Sequence, residues 1–210
     1  MMSLVNALPG AVAQGLIWGI MAIGVYLTFR ILDIADLTVD GSLGTGGAVC
    51  IMLMLSGQNV WVSMAGATAA GMAAGLATGI LHTFMGIPAI LAGILTQLGL
   101  YSINLKTMGK ANQAINVDKY DLLVSLRFIR KVPFYRNTIL MVAITIIILI
   151  AVLYWFFGTE LGCSLRATGC NDKMARAQGI NTDLSRVLGL MISNGLVALS
   201  GAMLCQYQGF

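Results

Sequence analysis

The side chains here that could do chemistry are four cysteines, one histidine and eight carboxylates in 210 residues. Cys50 and Cys205 lie in long apolar runs and read as small hydrophobic fillers. Cys163 and Cys170 lie in a polar stretch with neither a CxxC spacing nor a nearby histidine, so neither a zinc site nor a disulfide framework is expected. His82 falls at the end of an apolar run and has no nearby nucleophile to activate, so an interfacial position is its expected role. The run Gly41 to Gly47 is glycine-rich but lacks the lysine of a Gly-x-x-x-x-Gly-Lys-Ser/Thr phosphate loop. The chain is therefore not expected to be an enzyme that hydrolyses ATP, and no metal or cofactor of its own is expected. Asp33, Asp36 and Asp40 remain, three acids entering an apolar segment. Acids there are costly unless they serve a purpose. Two readings stay open: partners for a helix N-terminus, or groups bordering a polar passage.

The elements that must position these residues are hydrophobic. The sequence is 58% hydrophobic and 10% charged, with a mean hydropathy of +0.88, where a soluble globular protein carries about 25% charged residues. No charge occurs in residues 1–29, 137–159 or 187–210, and His82 is the only ionisable candidate in 41–105. A helix needs about 20 apolar residues to cross the hydrocarbon core. The pattern predicts an all-α, polytopic transmembrane helix bundle of about six spans: 11–29, 37–56, 60–81, 88–105, 137–157 and 187 to the end. Residues 1–210 read as one membrane domain. The start has no basic n-region, so the first span reads as retained rather than cleaved. The lack of a polar tail after the last span leads to the expectation that a C-terminal part lies beyond Phe210. A net charge of +4 is too modest for nucleic-acid binding and fits basic residues at a lipid bilayer surface.

Small residues mark where helices should meet. Gly15 and Gly19 form a small-xxx-small pair, and Ala67, Gly71, Gly75 and Gly79 line one face of the third span at four-residue spacing. The cluster 41–47 predicts a broken or closely packed helix. Pro88 suits the first turn of the fourth span. Residues 122–134 mix Leu, Phe and Ile with Arg127, Arg130 and Lys131, the pattern of an amphipathic element on the bilayer surface. Gln97, Asn104 and Asn194 could face a pore or bond a neighbouring helix, and local sequence does not choose.

The polar segment 158–186 is punctuated by caps. Thr159 is expected to cap a short helix running through Arg166 and Thr168 and stopped by Gly169. Asn171 is expected to cap a second helix over 172–178, with Gly179 just past its end and Thr182 capping the last span. The result is an ordered protrusion between two spans, with Arg166 and Lys173 as surface cations.

This protrusion resembles the cytoplasmic coupling loop of permease subunits from bacterial ABC importers of the branched-chain amino acid, ribose and nucleoside type. The family pattern of Thr and Gly, then Arg-Ala, Gly-x-Asn, Ala and Gly-Ile is met by Thr159, Gly162, Arg166 with Ala167, Gly169, Asn171, Ala175 and Gly179 with Ile180. A second match lies near the N-terminus. Asp36-Leu-Thr-Val-Asp-Gly41 is similar to the family's Asp-Leu-Ser/Thr-Val-Gly signature, with Asp40 inserted before the glycine.

The resemblance implies a type II importer-like permease in the bacterial plasma (inner) membrane. Residues 158–182 would be the cytoplasmic coupling segment, with Gly162, Arg166, Ala167, Gly169, Asn171, Ala175, Gly179 and Ile180 meeting an ABC ATPase. Asp36, Thr38, Asp40, Gly41 and Gln97 would belong to the translocation path. The implied partners are ATPase subunits that use ATP and magnesium, an extracytoplasmic solute-binding protein, and a second permease copy or close paralogue. The solute would be small and polar: the region 30–47 favours an amino acid, and a sugar or nucleoside stays open. The alternative, a secondary transporter driven by an ion gradient, would show paired intramembrane acids or repeated broken helices, and the sequence has neither.

Six spans place the loops near Arg30–Asp36, His82–Ile87 and 158–186 on one side. Lys and Arg are nearly balanced across the two sides, leaning slightly toward the side of residues 107–136. The resemblance puts the 158–186 side in the cytoplasm and the N-terminus outside.

Overall fold

The computed structural model describes residues 2–110 and 138–209, all of whose regular elements are helical. The amphipathic element expected at 122–134 lies outside the described residues. The helices are α1 (Met2–Tyr26), α2 (Val39–Leu55), α3 (Val60–Thr83), α4 (Ala89–Met108), α5 (Thr138–Phe157), α6 (Glu160–Cys170), α7 (Asp172–Ala177) and α8 (Thr182–Gln208). Parts of α1, α3, α4, α5 and α8 are long and apolar enough to cross a membrane. The remaining span, α2, has only 17 residues, about 25 Å at 1.5 Å per residue, which is the low end for a crossing helix. It is short because α1 does not hand over to it directly. The last turn of α1 widens into a π-turn over Leu27–Ile31, and residues 32–38 leave the helix altogether. Asp33 sits there at φ 56°, a left-handed conformation that costs energy outside glycine.

α8 is the axis of the bundle, packed by α1, α2 and α3. The expected stripe on α3 is the reason it can be approached so closely. A methyl group on Gly71 would overlap Ala198 and the Asn194 carbonyl, and one on Gly75 would overlap the Leu190 carbonyl. On Gly79 it would lie 3.1 Å from Val187. α2 seats itself the same way. Gly46 meets the Ala198 backbone, Gly47 meets Cys205, and Gly201 of α8 meets the Leu43 carbonyl. The glycine cluster therefore makes a closely packed helix, and α2 is unbroken from Val39 to Leu55. Apolar layers fill the rest: Ile17, Ile20, Val142, Met203 and Tyr207 at the α1–α5–α8 contact, and Leu27, Leu32, Ile34, Leu165 and Leu190 where the end of α1 meets α6 and α8.

Some expectations are corrected. Gly15 and Gly19 meet nothing within 4 Å; the glycine of α1 that contacts a helix is Gly24, against Ser193 and Val197 of α8. Pro88 is the N-cap of α4 rather than a residue of its first turn.

Candidate functional site

α6 and α7 form the protrusion, and its caps follow the side-chain chemistry. Thr159 Oγ1 accepts from the Gly162 amide at 3.4 Å, and Asn171 Oδ1 accepts from the Met174 amide at 3.1 Å. Gly179, at φ 83°, ends α7 in the left-handed conformation that favours glycine. Two readings of the sequence are overturned. Gly169 does not stop α6, which continues to Cys170. The cap of α8 is Asn181, whose Oδ1 accepts from the Leu184 amide at 3.1 Å. Thr182 is instead buried as the first residue of α8, and its hydroxyl accepts from Arg176 Nε at 2.9 Å.

What Gly169 does is bring α6 against the end of α1. A methyl group there would overlap the Ile31 carbonyl and crowd Leu32, so α6 lies backbone to backbone on the π-turn. Gly162 is likewise buried, against the Phe156 carbonyl. Arg166 turns back to donate to the Phe157 carbonyl at 2.6 Å and lies 5.9 Å from that residue's ring. Its charge thus sits at the C-terminal end of α5, where the helix dipole favours a cation. Ion pairs join α7 to α8: Asp172 with Arg186 at 3.3 Å and Arg176 with Asp183 at 2.7 Å. Of the motif residues, Gly162, Gly169 and Ala175 give the protrusion its shape, while Ala167 and Ile180 are half-buried and Arg166, Asn171 and Gly179 are exposed. Lys173 and Met174 form the exposed tip; Met174 is 63% exposed, a residue that the motif reading passed over.

Beneath the protrusion the non-helical segment 32–38 is held by a polar latch. Asp36 Oδ1 accepts from the Thr38 amide at 2.8 Å, and Asp36 Oδ2 accepts from Asn194 Nδ2 at 2.7 Å. Asn194 also donates to the Leu190 carbonyl at 3.0 Å and accepts from Ser42 Oγ at 2.6 Å. Thr38 and Thr78 share a hydroxyl hydrogen bond of 2.8 Å. Asn194, Thr38 and Ser42 are fully buried, so three helices are joined through groups that would be costly to leave unpaired. Asn194 thus bonds its neighbours; the Asp36 partnership could not be read locally because the two residues are 158 positions apart.

Of the five path residues, Asp36 and Thr38 are bound into this latch, and Asp40 is exposed in the first turn of α2. Gly41 packs on the Gln97 backbone of α4. A crevice of about 490 Å³ is bordered by Asp33, Ala35, His82, Asn171, Asp172 and Arg186 among others, so the three loops expected to share one side do so. His82 Nδ1 lies 2.9 Å from the Ile87 carbonyl, the end-of-span setting expected of it. No group of three or more His, Cys, Asp or Glu with metal-binding geometry occurs among the described residues.

A membrane-crossing helix bundle with one capped protrusion seated on the end of its first span defines a multi-pass permease of the bacterial inner membrane. Comparison with known proteins gives the family. The model of the family described as "Branched-chain amino acid transport system / permease component" matches residues 8–210, and the chain belongs to that family. It is 37% identical over 205 residues to the tyrosine transport system permease protein of Clostridioides difficile (strain R20291), covering 98% of this chain and 66% of that protein. It is 31% identical over 194 residues to the autoinducer 2 import system permease protein LsrC of Yersinia pestis (strain Pestoides F), covering 91% of this chain and 52% of that one. The chain thus spans about two thirds of the length of the first relative and about half of the second. No solved structure matches.

Proposed function

We propose that this chain belongs to the permease subunit of an ATP-driven importer, providing the path for a small polar solute while a separate ATPase hydrolyses ATP with magnesium. The observation that carries the reading is the seat of α6. The protrusion offers an exposed surface to a partner and contacts the Ile31 backbone directly through Gly169. A push on the protrusion therefore reaches the segment 32–38, and through Asp36 and Asn194 the cores of α2 and α8. Arg166, Ala167, Asn171, Gly179 and Ile180 belong to the surface that meets the ATPase, with Gly162, Gly169 and Ala175 shaping it. Asp36 and Thr38 act on the path through the latch, and Asp40, Gly41 and Gln97 border it. A second permease copy completes the pore, and an extracytoplasmic binding protein delivers the solute. An amino acid is favoured, since one relative bears the name of a tyrosine transport permease.

The test is copurification with an ATPase, followed by ATP hydrolysis stimulated by loaded binding protein. Gly169→Ala should cut that stimulation about tenfold or more, because the added methyl forces α6 off the π-turn. Full stimulation in the variant, or none with the unaltered chain and any loaded binding protein, would argue against the reading.

A further inference from the structure

We propose that Asp40, flanked by Gln97 and Asn104 of α4, holds the cationic amino group of a zwitterionic solute on its way through the membrane. The proposal rests on the importer reading and names the solute chemistry that its path selects.

Depth comes first. Two latch bonds bracket Asp40 along α2: Thr38 with Thr78, and Ser42 with Asn194. Thr78 lies five residues before the end of α3 and Asn194 twelve residues after the start of α8, about 7.5 Å and 18 Å along those helices at 1.5 Å per residue. Asp40 is therefore set inside the bundle's height rather than on a loop beyond it. Its side chain is nonetheless exposed on the surface of the chain. A carboxylate at such depth is costly against hydrocarbon, so this face of α2 meets water or polar groups.

The neighbours are of matching kind. A methyl group on Gly41 would lie 3.1 Å from the Gln97 Cα, and one on Gly44 3.5 Å from Asn104 Nδ2. α2 and α4 thus meet here with no α2 side chain between them, which brings both amides beside Asp40. Gly44, one turn further on, is exposed and leaves the face open. The first turn of a helix favours a negative charge and helps keep Asp40 ionised. A carboxylate with two amide carbonyls offers acceptors to the three N–H groups of an ammonium, and the amide N–H groups can donate to a solute carboxylate. A sugar makes no use of a fixed charge. Asp40 is also the residue by which this sequence departs from the Asp-Leu-Ser/Thr-Val-Gly pattern.

The test uses the importer with its ATPase and binding protein in vesicles. Asp40→Asn should lower ATP-driven amino-acid uptake about tenfold or more while the ATPase still copurifies. In a Cys163→Ser, Cys170→Ser background, Asp40→Cys should react with a cationic, membrane-impermeant thiosulfonate. L-tyrosine should slow that reaction and desaminotyrosine should not. Uptake by Asp40→Asn within twofold of the unaltered importer, an inert Asp40→Cys, or equal protection by the two ligands would each overturn the proposal while leaving the importer reading in place. Should Asp40→Asn fail to assemble, the labelling decides. Absence of ATP-driven uptake by the unaltered importer would instead overturn the importer reading.

Discussion

At the scale of the residue, Asn194 does the most with one side chain. It bonds a carboxylate, a hydroxyl and its own helix at once, with no exposure to solvent. Asn194→Ala leaves Asp36 Oδ2 and Ser42 Oγ without their partner, and a hydrogen bond to a charged group contributes about 1.5–3 kcal/mol. The variant should be destabilised by about 2–3 kcal/mol, read as a lowered thermal midpoint in detergent; an unchanged midpoint would mean that water replaces the amide without loss. In the sequence Asn194 was one of three ambiguous polar residues in spans, because a hydrogen bond across 158 positions leaves no local trace. Caps, by contrast, act over three residues. Thr159 and Asn171 were therefore legible, and the last cap was missed by one position because Asn181 and Thr182 are both good capping types. Gly169 was read as a helix stop for a similar reason: a glycine required by a close approach and a glycine ending a helix look alike until the neighbour is known.

At the scale of the element, two glycine pairs with the same spacing have opposite fates. Gly71 and Gly75 of α3 are filled by α8, while Gly15 and Gly19 of α1 face open space within this chain. Gly75→Ala should cost about 1–3 kcal/mol, since the methyl meets backbone that cannot yield. Gly19→Ala should leave stability within about 1 kcal/mol of the original, or raise it, since alanine is the better helix former. Thermal unfolding of both variants side by side checks this, and equal losses would show that the Gly19 face is packed in the assembled protein. Sequence spacing alone could not separate the pairs, because it records that an approach is allowed and not which helix makes it. The existence of all the spans was legible from charge-free runs. The delayed start of α2 was not, since residues 32–38 are apolar enough to be helical and leave the helix only because the latch receives Asp36 and Thr38.

At the scale of the whole molecule, sidedness is decided by the protrusion rather than by charge counts, which nearly balance. Cys163 and Cys170 are exposed on α6, whereas Cys50 is buried. An impermeant thiol reagent should therefore label the first two from the cytoplasmic face alone, in inside-out vesicles, and should reach Cys50 only after denaturation. Labelling of Cys163 or Cys170 from the outer face would invert the orientation. The seat of α6 carries a consequence for how such a chain can vary. Gly169 meets the main chain of Ile31, and a carbonyl is the same whatever side chain accompanies it. The junction constrains the alphabet on one side only: position 169 admits a single letter, while position 31 is free to drift under the demands of lipid and core. A lineage can thus rewrite the end of its first span and still inherit the same mechanical joint.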